Sequence, residues 1–149
     1  MIELDRESLL VRVSAAERFA DVEDYLVARG LTLGASYDGT IGAWLESGAP
    51  GARSAWLDPA DHLVAGFSAR VRASNASFAV KPAPRRAVGP DSLSLVLGLR
   101  GRLLALESAW LRVHRVTVPR PTTEKFDPPD EPLGDDERAL LDAIERELR

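Results

Sequence analysis

The chain contains no cysteine among its 149 residues, which excludes disulfides, thiolate metal centres and cysteine nucleophiles. Histidine is almost as scarce. His62 and His114 lie far apart with no ligand spacing around them, so they do not make a metal site and read as surface or strand-end residues. Only two lysines, Lys81 and Lys125, stand against seventeen arginines, a usage expected of a GC-rich bacterial genome. No apolar run approaches the roughly 20 residues of a membrane-spanning helix. The first residues, Met1-Ile-Glu-Leu-Asp-Arg-Glu7, are acidic and lack the basic-then-apolar order of a secretory leader. The expectation is a cytoplasmic protein that does not enter a membrane. No Ser-His-Asp set, P-loop or Rossmann fingerprint is present, and Gly30-Leu-Thr-Leu-Gly34 has the wrong spacing for dinucleotide binding.

What is present is an ordinary globular composition, 45% hydrophobic and 28% charged, in a length that suits one domain. The net charge of −4 is unevenly placed. Residues 117–149 hold ten acids and five bases, and residues 1–116 hold thirteen acids and fourteen bases. The acidity therefore sits in the tail. A nucleic-acid binder shows the opposite bias across its body. Arginines and aromatics do not interleave as in an RNA-binding surface, and no nucleic-acid partner is expected.

Ile2–Leu4 and Leu9–Val13 read as short strands around a polar turn. Ser14 and Glu17 have capping-box spacing. Phe19, Val22, Tyr25 and Leu26 then mark one helical face, and Gly30 suits its C-terminal stop. Residues 31–39 read as loop. Thr40 is placed to cap a short helix through Leu45, ended by Gly48 to Gly51. Leu63–Arg72 and Ser77–Lys81 read as strands around an Ala-Ser-Asn-Ala turn. Pro82, Pro84 and Pro90 bracket an extended connection, and Ser92–Leu97 reads as a short helix. Leu103–Val118 is the longest strand pattern. Trp44, Trp56 and Trp110 read as core anchors.

Residues 119–136 hold five of the ten prolines and read as an extended linker, because proline removes a backbone donor and disfavours helix before it. Asp135 or Asp136 then caps an amphipathic helix, 137–148, with Leu140, Leu141, Ile144 and Leu148 in a stripe. The stripe needs cover. It can fold back on the body, or it can dock on a partner protein or a second copy.

The run Gly89-Pro-Asp-Ser-Leu-Ser-Leu-Val-Leu-Gly98-Leu-Arg-Gly101, followed by a strand through Val113, resembles the closing segment of the FAD-binding domain in the vanillyl-alcohol-oxidase/p-cresol-methylhydroxylase flavoproteins. Glycolate oxidase, D-lactate dehydrogenase and alkyl-dihydroxyacetonephosphate synthase types belong to that family. Ala20 to Gly30 resembles its L-x-x-x-L-x-x-x-G-L helix. Gly39-Thr-Ile-Gly-Ala-Trp-Leu-Glu-Ser-Gly48 resembles its T-[IV]-G-G segment, and Leu63 to Lys81 its next strand pair. About residues 2–116 are covered.

The resemblance implies an α+β fold, with a mixed or antiparallel sheet of about five strands and helices on one face, like the second subdomain of that FAD-binding domain. It implies FAD as cofactor and no metal. It implies that Thr40, Ile41 and Gly42 lie near the flavin, and that Gly98 and Gly101 form the G-S-x-G turn. Two departures stand out. The double glycine is Gly42-Ala43, and L-G-[IV]-[IV]-T is Leu103-Leu104-Ala105-Leu106-Glu107. On the residues alone, the glycines serve equally as turn formers.

Two further clusters carry chemistry on paper. Arg70, Arg72, Lys81, Arg85, Arg86, Arg100 and Arg102 can converge on a phosphate or an acidic partner, or form a solvated face. Asp58, Asp61 and His62 can be drawn as an acid/base group or as a loop cap. Two functions of different class follow. One is a flavoprotein subunit, completed by another chain, that oxidises a hydroxy acid or alcohol. The other is a non-catalytic module of the same fold, acting through its proline arm and C-terminal helix.

Overall fold

The computed structural model describes residues 1–47, 63–82, 95–96, 99, 101–116 and 134–149. The first strands are β1 (Ile2–Asp5) and β2 (Leu10–Ser14), followed by helix α1 (Phe19–Val27). A two-residue strand β3 (Leu31–Thr32) leads to helix α2 (Ile41–Glu46). Strands β4 (Val64–Val71), β5 (Ser77–Val80), β6 (Leu104–Arg112) and β7 (His114–Arg115) come next. Helix α3 (Asp135–Glu147) is the last element. The fold is α+β, built on a five-stranded antiparallel sheet in the order β1-β2-β6-β4-β5.

Side chains alternate across a strand, so the register assigns the faces. Val13 opposite Ala109 and Val11 opposite Leu111 fall on one face, with Phe67 beside Ala109 and Val80 beside Phe67. This face is the core side. Phe19, Val22 and Leu26 of α1 and Ile41, Trp44 and Leu45 of α2 join the same buried cluster. Phe19 and Trp44 meet edge to face, with ring centroids 4.8 Å apart. Each such buried side chain contributes about 1.5–3 kcal/mol relative to exposure.

The local signals for α1 and α2 behave as chemistry dictates. Gly30 takes φ +74° just beyond α1. The Thr40 hydroxyl accepts the Ala43 N–H at 3.2 Å and caps α2. The start of α1 differs from its sequence signal. Ser14 ends β2 and its hydroxyl accepts the Ala16 N–H, while α1 begins five residues later, at Phe19, with Arg18 as its N-cap. The Glu17 carboxylate accepts from the Met1 ammonium instead.

The 103–118 strand is broken. β6 ends at Arg112, the Val113 N–H turns to Leu9 O at 3.0 Å, and β7 leaves the main sheet to pair with β3. Residues 31–32, which read as loop, are therefore strand. A one-residue bulge also reverses the faces within β6. Ser68 pairs Ser108 but Ala69 pairs Leu106, leaving Glu107 as the extra residue. Leu106 thus shares the core face, and Trp110 falls on the other.

The α3 helix begins at Asp135, two residues before the reading from sequence. Gly134 is the N-cap, and its N–H donates to the Glu137 carboxylate at 2.9 Å. The 92–97 helix lies outside the described residues except for Leu95 and Val96, and most of the 119–136 linker lies outside them as well.

Candidate functional site

Three of the described positions that the flavin resemblance singles out form one corner of the core at the start of α2, and the fourth lies by the other end of that helix. Thr40, Ile41 and Gly42 start α2, and Gly101 sits in the turn before β6. The corner is assembled from backbone. Ile41 N–H donates to Glu17 O and Gly42 N–H donates to Ala15 O, each at 2.8 Å. With Ala43 N–H on the Thr40 hydroxyl, the first three donors of α2 are all committed within the chain. Ile41 is fully buried, and Gly42 is buried too.

Gly42 is glycine because of this contact. A Cβ there would lie 3.0 Å from Ala15 O and 3.1 Å from Ala15 Cβ. Gly101 has φ +68°, and a Cβ built on it would come within 3.0–3.1 Å of the Glu46 carboxylate. The Gly101 carbonyl accepts from Arg72 Nε. Gly98 lies outside the described residues.

A flavin held in the manner of the resemblance needs free backbone donors or open space over a glycine. Among the described candidate positions, the α2 donors are taken, and the space at Gly42 and Gly101 is filled by the chain itself. These residues do not fit FAD in that way. The departures in the Leu103–Glu107 run are absorbed likewise. Leu104 is 2% exposed in the core, and Glu107 at the bulge accepts from Arg70 Nε at 2.8 Å.

The described arginines of the basic cluster each have a partner within the chain. Arg70 pairs with Glu107, Arg72 with the Gly101 carbonyl, and Arg102 with Asp142 of α3. Arg85, Arg86 and Arg100 lie outside the described residues, as do Asp58, Asp61, His62 and Trp56. Lys81 and His114 are exposed. Of the other tryptophans, Trp44 is a core anchor. Its indole N–H is buried and has no acceptor among the described residues. Trp110 is not in the core: it is half-buried on the outer face of the sheet, under the Arg12 guanidinium at 4.7 Å.

Sequence reasoning missed Glu23. Its carboxylate is 8% exposed and accepts from the Leu33 N–H at 2.9 Å and from the Thr32 hydroxyl, tying α1 to β3. An acid on the apolar stripe, adjacent to Val22, was the available signal. Among the described residues no group of three or more His, Cys, Asp or Glu could hold a metal ion, and no helix is long and apolar enough to cross a membrane.

No protein-family model matches the chain, and no curated protein matches it. Solved structures do. One of alkyldihydroxyacetonephosphate synthase in space group P212121 superposes with a TM-score of 0.61 at 20% identity, over 76% of this chain and 20% of that one. Another of the synthase, in P1, gives 0.62 at 19% identity, over 76% and 21%. At this identity the likeness establishes the shared fold. The chain spans about a fifth of the length of these structures.

Proposed function

We propose that this chain is an FAD-binding-domain-like protein that works as a non-catalytic scaffold or assembly module. Its sheet and helices share the fold of a synthase from the flavoprotein family that the sequence resembles. One observation carries the scaffold reading: the space over the two described glycines is occupied by the chain itself, by Ala15 at Gly42 and by the Glu46 carboxylate at Gly101. The glycines there satisfy packing, and the α2 donors satisfy the β2–α1 connection. The output of such a module is a rigid surface offered to a partner.

The second reading is a subunit of an FAD-linked oxidoreductase acting on a hydroxy acid or alcohol. The retained Gly39-Thr-Ile-Gly42 and the fold favour it. On that reading the phosphate-binding groups come from another polypeptide, and this chain covers the cofactor.

Near-ultraviolet and visible absorbance of the purified chain, with and without added FAD, tests the scaffold reading. A colourless protein that leaves the spectrum of free FAD unchanged is the expected result. A flavin band that survives desalting would sink the scaffold reading and leave the subunit reading in its place.

A further inference from the structure

Helix α3 is folded back on the body. Leu141 is 5% exposed and joins the core cluster, with Ile144 and Leu148 packed partly against it. Arg102, next to the sealed Gly101 corner, is ion-paired with Asp142. The hold is narrow. Leu141 alone is fully buried, Leu140 beside it is 62% exposed, and the Asp142 side chain is 61% exposed. An exposed ion pair adds little, and a helix of 13 residues is marginal without a seat.

We propose that α3 is an exchangeable docking element, and that its seat around Arg102 takes the α3 of a second copy of this chain. The contact in one chain specifies the occupant: an acidic amphipathic helix with a leucine at 141 and a carboxylate at the next position. A second copy supplies that helix with nothing altered. The span between β7 and α3 includes residues 117–133, seventeen in number and with five prolines. Fully extended, a chain of that length reaches on the order of 55 Å, enough to cross to a neighbour. Exchange preserves every seat contact and changes only the connection, which is why such swaps are a low-cost route to dimers. The cis helix competes at an effective concentration in the millimolar range, so the dimer grows in at high protein concentration.

A complementary charge exchange tests this on the full chain. Arg102→Asp and Asp142→Arg each place like charges across the seat. Mixed, the two variants can form a heterodimer in which both seats again hold opposite charges. Light-scattering mass on wild type, each variant and the mixture, up to high micromolar concentration, is the measurement. Circular dichroism and a chain truncated after residue 133 serve as controls. The expected result is a dimer fraction severalfold higher in the mixture than in either variant alone, and absent in the truncated chain. A monomer mass, 16.2 kDa for the wild-type chain, in every full-length sample would overturn the proposal. So would a dimer that survives the truncation, because it would use another surface. These readouts do not depend on flavin, so they stand or fall apart from the scaffold reading.

Discussion

The carboxylate of Glu46 lies 3.0 Å from the point where a side chain at Gly101 would begin. The end of α2 thereby packs against the turn into β6, the turn that the sequence likens to a cofactor loop. Gly101→Ala should cost about 1–2 kcal/mol for the left-handed backbone alone, plus the displacement of Glu46. The second part should vanish in a Glu46→Ala background. Urea unfolding of the two single variants and the double variant checks this. Strict additivity would mean that the two residues do not meet.

Gly42→Ala meets backbone and not a flexible side chain, so the structure has little room to relax. A loss of about 1–3 kcal/mol is expected, as for an overpacked core. A variant as stable as the parent would show that the α2–Ala15 contact is looser than described. A Thr40→Ala variant should lose about 1 kcal/mol through the cap.

Glu23 joins α1 to β3 through buried hydrogen bonds. Glu23→Ala strands the Leu33 N–H and should destabilise by about 2–3 kcal/mol, while Glu23→Gln keeps one acceptor and should cost less. Thermal unfolding ranks the two, and equal losses would contradict the acceptor role.

Asp5 has its carboxyl held below the ordinary aspartate value, chiefly by the Ser8 N–H, with the Ser8 side chain and the Glu7 N–H adding to it. A depressed folded value means that the ionised form supports the fold. That support is present above the unfolded value and is lost as pH falls through the folded one. Carbon-detected NMR titration should place the Asp5 midpoint below that of a random-coil aspartate. An unshifted midpoint would remove the β1–β2 turn bonds from the account. Asp5→Asn should flatten this part of the acid limb of stability.

The indole N–H of Trp44 is buried without an acceptor among the described residues. Trp44→Phe removes an unsatisfied donor along with some apolar contact, so its cost should stay well below the roughly 3–5 kcal/mol expected of Trp44→Ala. Denaturant midpoints for the pair decide it, and near-equal losses would point to a hydrogen bond at that nitrogen.

What the sequence determined by itself is what a few neighbouring residues control. The Phe19, Val22, Leu26 stripe made α1, Gly30 stopped it, Thr40 capped α2, and the runs of residues 64–71 and 77–80 made a hairpin. Each signal acts within a turn or two of chain, so it can be read in one dimension. The order of motifs was also enough to point to the fold. The tertiary structure decided the rest. The Glu107 bulge exists only because β4 pairs across it, and that single extra residue sends Trp110 to the outer face. The pairing of β3 with β7 needs both strands. The roles of Gly42 and Gly101 depend on Ala15 and Glu46, which approach them only after folding. A glycine in sequence marks where a side chain is excluded. What does the excluding, cofactor or the chain itself, is a fact of three-dimensional packing.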